Sequence, residues 1–286
     1  LKVEILPLGF REFLRLKGLE VRSEKDVAFN AEKIRAMFYE YFKFGGFPEV
    51  TAIDDEDVKL RTVKTYYEDI LIRDVVSRFG VKKIDRIKSL AKYYLTNTSS
   101  LITYNRISKF MDEPVETVRR YTEHLASSRC LFFVNRFSFS VKEQENSPRK
   151  VYSIDPYLSS AVGFRFSENR GKTLENMVAV ELLRRQSLDA VTEFYYWKDY
   201  SGREVDFVVK RGRDVEELLQ VCWDVSEADT LERETKALFK AMDVFGLKRG
   251  TVLTEGAEDT ISNGSKKIAL KPAWQWLLES AKGWRL

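Results

Sequence analysis

Histidine occurs once in these 286 residues, at His124, and cysteine twice, at Cys130 and Cys222. Two distant thiols and one imidazole build neither a disulfide framework nor a Cys/His zinc site, so a reducing, cytoplasmic setting is expected. No apolar run approaches the roughly 20 residues that cross a bilayer, and no signal-peptide pattern opens the chain, so no membrane partner is expected. Low-complexity tracts are missing as well. No G-x-x-x-x-G-K-[ST] phosphate loop occurs, nor an apolar strand ending in paired acids, so this stretch is not expected to hydrolyse ATP by itself. A start methionine is lacking too: Leu1 opens "LKVEILPLGFREFL", which reads like the middle of a longer protein.

Charged and apolar residues are plentiful, at 32% and 44%, a globular balance in a length that allows two or three domains with real cores. The net charge of +4 is unevenly placed. Residues 1–80 carry 14 basic and 15 acidic side chains, and residues 151–286 carry 20 and 22. Residues 81–150 carry 14 and 7, so the whole excess lies there. A localised basic region is the footprint of a nucleic-acid contact, although a solvated lysine-rich surface gives the same sum.

Along the chain, Gly45-Gly46 and Pro48 predict that a helix from about Glu32 stops near Phe44. Asp54 to Asp57 supply an acidic first turn for the next helix, in which Val63, Tyr67, Ile70, Leu71 and Val75 recur at helical spacing until Gly80. Three helical patterns follow, "KIDRIKSLAKYYLTN", "TYNRISKFM" and "EPVETVRRYTEHLASS", then a β-rich "CLFFVNRFSFS", a polar turn "VKEQENSP" and a strand-like "RKVYSID". Three helices and a hairpin are the order of a winged helix-turn-helix, with 114–128 as recognition helix. DNA phosphates would then meet Lys109, Arg119 and Arg120 on helix faces and Lys142, Arg149 and Lys150 on the wing. A helical bundle with a hairpin packed on it is the alternative. From 151 onward the rhythm is mixed α/β: helix, three-stranded meander, crossing helix, further strands, closing helix.

Within that last region, "GREVDFVVKRGRDVEELLQVCWD" puts Asp206 in an apolar run and returns with Gln220 and Cys222. Strict alternation predicts Glu204, Asp206 and Val208 on one face, and an antiparallel hairpin would bring Asp206, Gln220 and Cys222 together. In the preceding helix Leu174, Val178 and Leu182 form the buried stripe, and Glu175 borders it. A carboxylate in apolar surroundings is costly unless paired or bound to a cation, so two converging acids point to a site. Taken singly, Glu175 reads as a surface acid, Asp206 as a strand-end residue and Cys222 as core filling.

A helix Glu, a strand Asp and an acid-or-Gln-x-Lys on the next strand resemble the PD-(D/E)XK nuclease-like arrangement. The longer series "PLGFREFL", "GGFPEV", "YYEDILIRDVV", "TVRRYTEHL", "RKVYSID", "ENMVAVELLRR", "EVDFVV" and "LLQVCWD" resembles the C-terminal part of a prokaryotic, largely archaeal, family of AAA-type ATPases. That resemblance implies an α+β chain: a helical lid remnant over 1–80, a winged helix over 81–150 and an α/β restriction-endonuclease-like domain over 151–286. It implies that Glu175 is the helix acid, Asp206 the metal-binding acid and Gln220 the third ligand, beside the Val221 carbonyl. Cys222 stands where active members carry lysine, and Gln220 replaces a carboxylate, so the set is expected to be degenerate unless Lys198 or Lys210 supplies the charge. Mg²⁺ on Asp206 and Glu175 is the cofactor such a site implies, and ATP belongs to an upstream core.

The expected function is therefore a DNA-binding, regulatory portion of an ATPase. The alternatives are an active Mg²⁺-dependent nuclease and a protein–protein adaptor in a defence-like system. Duplex DNA and the ATPase core are the expected partners. The aromatic "MFYEYFKFGGF", left bare, would add a second copy of the chain.

Overall fold

The computed structural model describes residues 5–164 and 169–279. It opens with five helices: α1 (Phe10–Leu16), α2 (Glu24–Phe29), α3 (Ala31–Phe44), α4 (Pro48–Ala52) and α5 (Glu56–Asp69), the last continued by a π-helical stretch, Ile70–Ser77. As the breaker pattern predicts, α3 stops at Phe44. Gly45 holds φ 69°, ψ −159°, a conformation essentially closed to side chains with a Cβ.

The aromatic run was expected to be left bare, and it is not. Phe38, Tyr41 and Phe44 are buried, and Phe42 packs tilted against Trp223 at 4.6 Å between ring centroids. The run satisfies itself on the chain's own later elements. Residues 1–80 in fact divide between two cores. Side chains of α1 and α3 join one with the C-terminal sheet, whereas Phe44, Val50, Val63, Tyr67, Leu71 and Val75 join the core of the middle helices.

The middle region runs α6 (Ile84–Thr96), β1 (Ser100–Ile102), α7 (Tyr104–Met111), α8 (Val115–Ser127), β2 (Leu131–Val134), α9 (Val141–Asn146) and β3 (Arg149–Ser153). Its three strands form an antiparallel sheet in the order β1-β3-β2. Thr103 caps α7 by accepting from the Arg106 N–H, and α7 ends on Asp112 in the left-handed region. The polar segment expected as a turn instead holds α9, because Ser140 caps it and Glu143 pairs with Arg136 at 3.0 Å.

After α10 (Pro156–Val162), the C-terminal region comprises α11 (Arg170–Leu188), β4 (Thr192–Lys198), β5 (Glu204–Arg211), β6 (Asp214–Val221), α12 (Ala228–Phe245), β7 (Arg249–Thr254), β8 (Asp259–Asn263), β9 (Lys266–Pro272) and α13 (Ala273–Leu278). The six strands form one mixed sheet in the order β4-β5-β6-β7-β9-β8. β4, β5 and β6 are antiparallel, and α12 crosses over so that β7 runs parallel to β6. One face packs on α11, α13 and the N-terminal helices, and the other on α12. Thr173 to Val180 of α11 are buried without interruption, as in a helix covered on all sides. No helix among the described residues is long and apolar enough to cross a membrane.

Candidate functional site

Regular alternation along β5 breaks at Asp206. Val205 and Val208 both pack toward α12, while Phe207 and Val209 join the opposite core. Across the ladder Tyr195 faces Val208 and Trp197 faces Val205, so one β4 residue opposes two on β5. Such a bulge re-aims a side chain. The β5–β6 pairing reaches Phe207 and Leu219, and beyond it side chains take over the ladder. The Val221 N–H donates to Asp206 Oδ2 at 3.0 Å, and the Asp206 N–H donates to Gln220 Oε1 at 3.1 Å.

Into this fork comes a lysine from the three-stranded sheet. Asn176 of α11 clamps β3 by accepting from the Ser153 N–H (2.8 Å) and donating to the Ser153 carbonyl (3.0 Å). That docking aims Lys150 and Tyr152, two apart on β3, at the acids. Lys150 Nζ lies 3.0 Å from Glu175 Oε1, 2.8 Å from Asp206 Oδ1 and 2.8 Å from Glu204 Oε1. Tyr152 donates its hydroxyl to the same Glu175 oxygen at 2.8 Å, and Lys198 holds the other oxygen of Glu204 at 3.1 Å. Lys150 is 3% exposed, Asp206 7% and Glu175 8%.

Burial on its own would lower the Lys150 pKa, but Asp206, Glu175 and Glu204 hold it well above the ordinary lysine value. Glu175 is pushed up to about 7, first by burial and then by the Asp206 charge. Burial also raises Glu204, yet Lys150 and Lys198 together bring it below the usual range.

The expected trio is therefore split. Asp206 and Gln220 are bonded neighbours, but Gln220 turns its amide nitrogen to Glu234 of α12 at 2.6 Å. Cys222 is buried in the α12-side core, donates to the Asp224 carbonyl at 3.1 Å, and is pushed up to about 11 by burial. It is a thiol filling space. Lys210 pairs with Glu193, Arg203 with Asp199, and Lys198 reaches the cluster only through Glu204. The implied Mg²⁺ does not fit. The position between the helix acid and the strand acid is filled by an ammonium, and among the described residues no group of three His, Cys, Asp or Glu is arranged to hold a metal.

A correction attaches to Lys150 itself. Expected on a DNA-facing wing, it is among the most buried polar residues of the chain, because β3 is covered by α11. Its role was hidden in the sequence. The only local signal was strand alternation, which puts Lys150 on the same side as the apolar body of Tyr152. Tyr152, Asn176 and Glu234 leave no local signal of their parts in the site either, and alternation puts Glu204 beside Asp206 without showing its pairing with Lys150.

The remaining basic residues lie elsewhere. Lys109, Arg119, Arg120 and Lys142 are exposed on α7, α8 and α9. Arg149 is half-buried between the Tyr104 and Phe133 rings, 5.2 and 4.8 Å from their centroids. Arg119 stands over the other side of the same groove, 5.4 Å from the Tyr104 ring. The groove encloses about 540 Å³ between α7, α8 and the α9 loop, with Glu123 and Glu145 also on its walls.

Residues 35–169 match the model of one domain of unknown function, DUF8612, and residues 170–271 that of another, DUF4143. An uncharacterized protein of Methanocaldococcus jannaschii is 36% identical over 97% of this chain and 63% of its own length. One of Haemophilus influenzae is 25% identical over 79% and 54%. The chain thus spans a little over half to just under two thirds of the curated relatives it matches. A solved complex of Thermococcus gammatolerans McrB AAA+ hexamers with bound McrC aligns with 66% of this chain and 46% of that one, at 14% identity. Its TM-score of 0.29 is too low to carry a fold argument. The two matches meet at the start of α11 and together cover residues 35–271.

Proposed function

We propose that this chain is a DNA-engaging, regulatory portion of a larger AAA-type ATPase, in which a winged helix is tied to a catalytically inert nuclease-like domain. The observation that carries the DNA reading is the order helix–strand–helix–helix–strand–helix–strand, with the short α9 in the connection between β2 and β3 and sheet order β1-β3-β2, coupled to the basic excess of 81–150. In a winged helix of that order α8 is the helix presented to the major groove, and it exposes Arg119 and Arg120. Arg149 and Tyr104 would line the adjoining groove, with Lys109 and Lys142 as outlying phosphate contacts. The nuclease-like reading is supported by the order α11, β4-β5-β6 meander, α12, parallel β7, and by Glu175 and Asp206 meeting where helix and strand acids belong. Inertness is supported by Lys150, whose ammonium pairs with both acids and occupies the position between them. The ATPase parentage rests on the sequence resemblance.

The test is fluorescence anisotropy with labelled duplex DNA across a salt series. Each phosphate contact releases counterions, so affinity should fall steeply with salt, and Arg119→Ala/Arg120→Ala should weaken binding across all sequences and flatten the slope by about 2. Absence of wild-type binding at about 50 mM salt would refute the DNA reading. Plasmid cleavage in Mg²⁺ that vanishes in Asp206→Ala would refute the inert site.

A further inference from the structure

We infer that the Lys150 ammonium stands in for a divalent cation in the α11–β5 acid site, so that the site is metal-free because a side chain from the three-stranded sheet completes it. This rests on the nuclease-like reading of the C-terminal domain and is independent of DNA binding. Oxygens of Glu175, Asp206 and Glu204 converge on one point, at 3.0, 2.8 and 2.8 Å, and that point is Nζ. Two of the other carboxylate oxygens are also engaged, Asp206 Oδ2 by the Val221 N–H and Glu204 Oε2 by Lys198, and Glu175 Oε1 accepts from Tyr152 as well. Carboxylates this deeply buried must be paired or must hold a metal, and here all three share the Lys150 ammonium. The cation is delivered by a segment 25 residues from Glu175 and 56 from Asp206, so it also pins β3 to α11 and β5.

The probe is Mn²⁺, titrated into the full chain and followed by the EPR signal of the free ion. The wild type leaves that signal unquenched. Lys150→Ser removes the ammonium, opens room among the three carboxylates and quenches one equivalent, and adding Asp206→Asn abolishes the quenching. If the single variant does not fold with three acids unpaired, Lys150→Ser/Glu204→Gln carries one charge fewer and gives the same readout. Stoichiometric Mn²⁺ binding by the wild type that is lost in Asp206→Asn overturns the inference. So does a folded serine variant that binds none. Neither result alters what the duplex titration says about α8.

Discussion

At the scale of single residues, the cluster around Lys150 sets the largest expected effects. Removing one partner of a buried ion pair leaves the others uncompensated, at a cost of about 3–5 kcal/mol. Lys150→Met should therefore lower the urea-derived stability by about that amount, and Lys150→Met/Glu175→Gln should recover part of it, because one carboxylate then needs no counter-charge. Glu175 also gives the chain a pH signature. Its value of about 7 in the fold lies above the 4.5 of the unfolded chain. The fold thus keeps a proton that the unfolded chain releases. The stability this brings is complete below about 4.5 and lost as pH rises through about 7. Asp206, Lys150 and Tyr152 face the carboxyl. Stability should decline from pH 5 to pH 8 by an upper bound of about 3 kcal/mol from this group, and Glu175→Gln should flatten the decline. An unchanged slope in that variant would mean Glu175 is ionised throughout. Asp155, pushed up to about 6 by burial, has the same sign over a lower window, and burial raises Glu181, Glu217 and Glu234 too, so the difference between the parent and Glu175→Gln, not the raw slope, reports Glu175.

Among elements, the turn after α3 shows how two distant motifs form one contact. The Gly46 N–H donates to Asp155 at 2.7 Å, and Asp155 also accepts from the Tyr157 and Leu158 N–H groups to cap α10. A Cβ on Gly45 would overlap the Asp155 carboxylate, and one on Gly46 would overlap the Leu8 carbonyl. Gly45→Ala adds a backbone conformation closed to alanine, so it should cost roughly 3 kcal/mol or more, read as a fall in the urea midpoint. Gly80 has the same positive φ but open space around it, so Gly80→Ala should cost clearly less. The helix stop at Phe44 was legible because breakers act locally. The partner of the turn was not, since Asp155 lies 109 residues away.

For the whole molecule, the segments are interlocked. The first 80 residues contribute to two cores, Asp155 holds the α3–α4 turn, and Lys150 with Asn176 joins the three-stranded sheet to α11 and β5. A folding unit built this way should melt in one transition although two domain models span it, with calorimetric and van't Hoff enthalpies in agreement. Two resolved transitions would show that the ties are weaker than the cores they join. The same interlocking bears on the proposed DNA face. Arg149 lines the groove and Lys150, its neighbour on β3, closes the acid cluster, so a ligand that shifts one strand acts on both.

The sequence by itself determined the elements whose cause is local: the stop of α3, the three middle helices, the β5–β6 hairpin, the long α11 and its stripe of Leu174, Val178 and Leu182. It also located Glu175 and Asp206, because an acid in an apolar run stands out against either period. Only the tertiary structure decided which way they look and what they meet. Alternation assumes a regular ladder, and the bulge at Asp206 breaks it, turning that carboxylate away from Cys222. Lys150 lies in a charged stretch that reads as surface, yet strand β3 is sandwiched where its ammonium is worth more to three carboxylates than to water. Long-range ion pairing leaves no periodic trace in a chain, because its energy depends on where two distant segments meet and not on the spacing within either.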